Sequence, residues 1–333
     1  MLRLLEEFFG GTVVEMGSKW RIKLYIAFTI IVVAIVLYPS SMPTKMPVYR
    51  GRTIDQWYSD FAAPENSTEA RARAGQVLRE MGTNWTPALI DRFRDFNDSA
   101  IKLKLMSIAN RQSWVKFSFT TAAMRRETAF NEFVFWGPGT AAAVPELIKL
   151  SRDTNAEVAI VALRGLGIAN NYAEMPIIEP FIEGTASTND WVRLYSVSAF
   201  CQSYMNWKSR PDSSKGEKFP EEKMLSVLLA GLSDSFFLVR RRTMDELGKL
   251  QLKPDLVVPI LGGLVQNTNA IIRFDAACAL GKYGPAARVA VPALKTALRD
   301  PDKSVRNQAA MSLTKIEMEL PATNSIGSEL QTK

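Results

Sequence analysis

The chain has 333 residues, a net charge of +7 and a pI near 9.3, with 47% hydrophobic and 23% charged residues. It holds no histidine and two cysteines, Cys201 and Cys278, far apart in sequence. This excludes Ser-His-Asp and Cys-His centres, HExxH zinc sites and a CxxC-based structural zinc, and the basic excess is weaker than that of a dedicated nucleic-acid binder.

The first feature along the chain is Leu24–Tyr38, LYIAFTIIVVAIVLY, 15 residues without a charge. At about 1.5 Å per residue it falls short of a roughly 30 Å hydrocarbon core. Extension to Trp20 nearly closes the gap, because Arg21 and Lys23 can snorkel to the interface, where Trp20, Tyr25 and Tyr38 are also suited. Lys19, Arg21 and Lys23 precede the run and favour a cytoplasmic N-terminus. The expected organisation is a cytoplasmic segment at 1–19 and a single transmembrane anchor at 20–39. A linker follows at 40–63, and the folded part at 64–320 then lies outside the cytoplasm. A cleaved signal peptide is the rival reading, but cuts after Ser40 or Ser41 place Tyr38 or Pro39 where a small residue is wanted.

Beyond the linker the sequence repeats itself. Ala270–Gly284 and Lys303–Glu317 align at a step of 33 residues: Arg273 falls on Arg306, Ala276 on Ala309, Leu280 on Leu313 and Lys282 on Lys315. One step back lie Val239, Arg240, Leu247 and Lys249. Trp136–Pro145, WGPGTAAAVP, matches Tyr283–Pro292, YGPAARVAVP. Val192, Arg193 and Phe200 mark another copy, and Ala70, Arg71 and Leu78 an early one. In each unit a first helix begins at or near a proline (Pro87, Pro145, Pro259, Pro292), which suits a first helical turn. A turn with Asp153, Asp234, Asn267 or Asp300 follows, then a second helix. Neither helix can bury its apolar stripe alone, so the units stack into a continuous core. The fold expected is all-α, an α-solenoid of stacked helix pairs without β-sheet. Arg111–Ala123, with Trp114, Phe117 and Phe119, and the charged loop Asn206–Glu222 interrupt the period. Pro321–Lys333 reads as a disordered tail.

On the Asx-x5-Arg pairs Asp234/Arg240, Asn267/Arg273 and Asp300/Arg306, with the V-P-x-L helix starts, the sequence resembles the HEAT-repeat family, including its short bacterial variants. The segments 47–61, 81–90 and 136–150 look like blocks of anchored bacterial members. The resemblance implies that Asp and Arg form a ladder between repeats, broken in the 153–168 unit, where Ala159 stands in place of Arg.

The recurring Arg193, Arg240, Arg273 and Arg306 are therefore expected in the ladder. Lys249, Lys282 and Lys315 form a second column at helix C-terminal ends, favoured there by the helix dipole. With Arg241 and Arg242 they are the candidate stripe for an anionic ligand or lipid headgroups. Trp114, Phe117 and Phe119 are a candidate docking patch, and Cys278, among Ala276, Ala277 and Leu280, reads as a core residue. No Walker loop or GxGxxG is present, and no cofactor, metal or catalytic set is expected. The function expected is a membrane-tethered, non-catalytic scaffold for a protein partner. An enzyme or accessory of the lyase-type HEAT class is the alternative, and nucleic-acid binding is disfavoured.

Overall fold

The computed structural model describes residues 47–94, 121–173, 175–210 and 218–317, with isolated positions between 98 and 107. The expected anchor at 20–39, the candidate patch Trp114, Phe117 and Phe119, and the tail at 321–333 lie outside the described residues. No helix among the described residues is long and apolar enough to cross a membrane.

The chain divides into two compact units, Met1–Glu146 and Leu147–Lys333. The first opens on an element absent from the all-α expectation. β1 (Val48–Tyr49) and β2 (Arg52–Thr53) form an antiparallel hairpin turning on Arg50 and Gly51, both at positive φ. Two-residue strands carry too little alternation to show in a hydrophobic pattern. Thr53 then starts α1 (Ile54–Ala62) with a capping box, its side chain accepting from the Gln56 backbone while Gln56 reaches back. α2 (Thr68–Glu80), α3 (Thr86–Phe93) and α4 (Ala122–Phe135) complete the unit's described helices. Phe93 meets Phe133 edge-on at 5.7 Å, and Phe61 meets Phe135 at 4.2 Å.

The boundary between the units falls within α5 (Val144–Leu150), and the second unit continues with α6 (Ala156–Ala169), α7 (Glu179–Thr185), α8 (Asp190–Lys208), α9 (Glu221–Gly231) and α10 (Phe237–Leu250). α11 (Pro254–Leu264), α12 (Ala270–Tyr283), α13 (Val291–Ala297) and α14 (Lys303–Glu317) follow. The second helices α6, α8, α10, α12 and α14 each pack on the next, and the first helices α7, α9, α11 and α13 each cover the second helix that follows. Val158, Leu163, Leu166, Val197, Phe200, Leu247, Leu280 and Leu313 line the resulting core. Two glycines one repeat apart permit the close crossings: a Cβ on Gly248 would lie 3.0 Å from Ala279 Cα, and one on Gly281 3.2 Å from Ser312 Cα. Gly248→Leu is therefore expected to lower stability by about 2 kcal/mol through overpacking. Unchanged chemical denaturation would show that α10 and α12 can part without loss.

Three local expectations are corrected. Pro259 does not open its helix. It lies inside α11, which starts one turn earlier at Pro254, where proline suits the first turn. The Asn206–Glu222 loop is shorter than its composition indicates: α8 runs to Lys208 and α9 opens on Glu221. Phe219, between them, is buried against Phe200, Tyr204 and Trp207, an apolar anchor in an otherwise polar connection. Cys278 is partly exposed on a cleft wall, whereas Cys201 is fully buried.

Candidate functional site

Between the helices of each pair runs a turn built on two Asx-like positions spaced i,i+2. At the first, Asp153, Ser187, Asp234, Asn267 and Asp300 accept from the backbone N–H two residues on. At the second, Asn155, Asn189, Asn269 and Asp302 cap the next helix. Phe236 occupies that second position in its turn and provides no side-chain cap. This double-Asx pattern is visible in the sequence, but the turn residues expected from it are only Asp153, Asp234, Asn267 and Asp300, without Ser187 or the second positions.

Six residues after the first position comes the arginine. Arg193, Arg240, Arg273 and Arg306 each donate through Nη1 to the two carbonyls of their own turn, at 2.6–3.4 Å. The partner within a repeat is thus the backbone carbonyl of Asp234, Asn267 or Asp300. The carboxylates serve the preceding repeat. Arg193 makes a bidentate pair with Asp234 (2.8 and 2.9 Å), and Arg273 with Asp300 (both 2.7 Å). Arg240 makes no such pair, since the next turn carries the neutral Asn267. The Arg193 guanidinium pulls the Asp234 carboxyl below the usual carboxylate range against the opposing effect of burial, and Arg273 does the same to Asp300. Where Ala159 interrupts the arginine column, Arg152 pairs bidentately with Glu183 instead (2.7 and 2.9 Å).

The lysine column has a different geometry from a solvent-facing stripe. Lys249 contacts Asp245 at 2.7 Å and Glu246 at 3.2 Å, and Lys282, from the neighbouring α12, contacts the same Asp245. Burial opposes the charge on Lys249, but the two carboxylates hold its pKa above the ordinary lysine value. Lys315 is exposed on α14. Joint charge reversal of Lys249 and Lys282 is therefore expected to destabilise the α10–α12 contact by about 2 kcal/mol, because it places two further carboxylates on Asp245. Stability unchanged in a urea titration would mean that this cluster contributes nothing to the packing.

These charges rim a cleft of about 410 Å³ lined by Leu194, Leu238, Arg241, Arg242, Asp245, Phe274, Asp275, Cys278, Ala279 and Lys282. Arg241 approaches Asp275 at 3.5 Å and Arg242 approaches Glu246 at 3.4 Å. Burial raises the pKa of the Asp275 carboxyl, with Arg241 opposing. At the N-terminal ends of the same helices stands a ridge of apolar side chains: Trp191, Phe236, Phe237 and Ile271. Trp191 packs edge-on to Phe236, and Phe236 to Phe237, each with ring centroids 5.6 Å apart. Trp191, Phe237 and Ile271 are exposed by 49%, 50% and 55% respectively, too much for core residues. The candidate Lys/Arg stripe read from the repeat register missed this ridge. A Phe at an Asx cap position is the signal that marks it.

Residues 225–319 match the sequence profile of HEAT repeats. This part of the chain is a HEAT-repeat segment. It holds the ladder pair Arg273–Asp300, the Lys249–Asp245–Lys282 cluster and most of the cleft. Among solved structures, the chain is similar to the complex of CpcE and CpcF of phycocyanin lyase from Nostoc sp. PCC7120, at 16% identity and a TM-score of 0.32, over 85% of this chain and 100% of that one. It is also similar to Kap95p from a complex with RanGDP, at 13% identity and a TM-score of 0.32, over 79% of this chain and 45% of that one. No curated protein matches. No group of three or more acidic or cysteine side chains able to hold a metal occurs among the described residues.

Proposed function

We propose that the protein is an interaction scaffold, with its HEAT segment presenting a binding face to a protein partner from a membrane tether. One observation carries the reading. Phe236 stands where the other turns place a capping Asx (Asn155, Asn189, Asn269 and Asp302), and an uncapped helix start loses about 1 kcal/mol. The aromatic placed there joins Trp191 and Phe237 in a run of ring contacts, with the exposed Ile271 at the N-terminal end of the neighbouring α12. Such patches on otherwise polar surfaces mark sites of association. The tether rests on the uncharged run Leu24–Tyr38 behind Lys19, Arg21 and Lys23. It places the folded units outside the cytoplasm.

A photo-crosslinker at position 237 of the full chain in native membranes is expected to trap a discrete protein adduct that the same probe at Lys295 does not. Adducts confined to lipid or nucleic acid would overturn the scaffold reading. Separately, alkaline carbonate extraction should leave the protein in the membrane pellet, and its release into the supernatant would remove the tether.

A further inference from the structure

The apolar ridge and the charged cleft form one surface on α8, α10 and α12. Three of the four ridge residues stand one helical turn from a cleft residue: Trp191 from Leu194, Phe237 from Arg241 and Ile271 from Asp275. The surface charges are stratified. The side chains of Arg241, Arg242 and Lys249 are 58%, 42% and 41% exposed, while those of Asp275 and Glu246, beneath them, are 10% and 5% exposed. Asp245 is the exception at 35% exposed, but Lys249, Lys282 and Arg242 all contact it, so its charge is more than offset by cations. An approaching molecule therefore meets guanidinium groups first. Arg241 makes no hydrogen bond among the described residues, and its contact to Asp275 is through Nε, so among those residues both Nη groups are without a partner on a side chain that is 58% exposed, and a guanidinium fork of this kind suits a carboxylate.

We propose that this surface binds a protein segment in which an aromatic or branched apolar side chain is followed closely by acidic residues. The apolar side chain rests on Trp191, Phe236 and Phe237, and the carboxylates meet Arg241 and Arg242. The turn of α10 separating Phe237 from Arg241 rises about 6 Å, a distance that about two residues of an extended segment span. Apolar residue and carboxylate should thus lie one to three positions apart. The proposal rests on the scaffold reading and specifies the chemistry of its partner.

The test uses the full chain and a displayed library of random peptides. Cys278 lies on the cleft wall and Cys201 is fully buried, so alkylation of Cys278 reports occupancy. Enriched peptides are expected to carry the apolar–acidic pattern and to protect Cys278. Arg241→Glu should weaken a synthetic copy at least tenfold and improve binding of its counterpart with lysine in place of the acids. Phe237→Ser should weaken both peptides. If Arg241→Glu unfolds, Arg241→Ala, which removes no hydrogen bond, should still weaken the acidic peptide while leaving the lysine counterpart no weaker. Peptides that protect Cys278 but carry no acidic residues overturn the charge assignment and leave the scaffold standing. Peptides that bind without protecting Cys278 and ignore Phe237→Ser overturn the surface itself. Stronger protection by a single-stranded oligonucleotide or by phosphatidylglycerol vesicles than by any peptide overturns both the proposal and the reading beneath it.

Discussion

Replacing Arg273 by alanine is expected to lower the stability of the second unit by about 2–3 kcal/mol, and Arg193→Ala by a similar amount. Each guanidinium holds two carbonyls of its own turn and both oxygens of a carboxylate in the next turn, with side-chain exposures of 12% and 7% for Arg273 and Asp300, and 11% and 14% for Arg193 and Asp234. Removal leaves a largely covered carboxylate without its cation. Arg240→Ala and Arg306→Ala should cost only about 1 kcal/mol, because those arginines satisfy carbonyls alone. The contrast between Arg240 and Arg273 is a test in itself. Asn267→Asp supplies the carboxylate that Arg240 lacks, and is expected to stabilise by about 1 kcal/mol with the gain abolished in Arg240→Ala. Chemical denaturation together with hydrogen exchange on α10–α14 measures these effects locally, as stacked repeats can unfold in parts. Equal losses for all four arginines would show that the bidentate pairs add nothing beyond the turn contacts.

Glu132→Gln is expected to raise the stability of the first unit above neutral pH by an amount on the order of 3 kcal/mol. Glu132 comes from α4 with its side chain closed off from solvent, and one oxygen, Oε1, has no hydrogen-bond partner among the described residues. Its Oε2 accepts from Arg92 of α3 at 2.5 Å, and the same Arg92 contacts Asp55 of α1 at 2.7 Å. Burial raises the Glu132 pKa to about 8, with Asp55 adding to the shift and Arg92 opposing it. Tyr58 also faces Glu132 and is raised, first by burial and then by that carboxyl. In the unfolded chain the carboxyl ionises near 4.5, in the folded one near 8. The folded state therefore binds the extra proton, and its stability is full below pH 4.5 and declines as pH rises through 8. Glutamine has no such transition, so its melting temperature should stay level across that window while the wild type falls. Parallel profiles would refute a buried protonated Glu132.

The second unit responds in the opposite sense. Asp234 and Asp300 have folded pKa values below their ordinary ones. Their contribution is present above about pH 4 and lost as pH falls through the depressed values. Acid should loosen the Arg193–Asp234 and Arg273–Asp300 links while Glu132 in the first unit stays protonated and stable.

Local rules made much of the second unit legible in sequence. The 33-residue step places α12 over α14, Pro145 and Pro292 fall in the first turns of α5 and α13, and the Asx turns precede α6, α10, α12 and α14. Caps, turns and apolar periodicity act over a few residues, so neighbouring letters encode them. The same logic places each arginine six residues after the first position of its turn, where it reaches the carbonyls of that turn.

Which carboxylate meets which cation was decided by tertiary structure. Asp300 lies 27 residues from Arg273, and Asp234 lies 41 residues from Arg193. Only the stacking of one helix pair on the next brings them together. Asp245 draws Lys249 from its own helix and Lys282 from a neighbour, so a column of like spacing became a shared ion cluster. Glu132, Arg92 and Asp55 meet from three helices, and the proton on Glu132 follows from burial, which no stretch of sequence records. Phe236 belongs to both levels: its place in the turn motif is written in the sequence, but its junction with Trp191 and Phe237 exists only because α8 and α10 pack side by side, leaving their N-terminal ends uncovered.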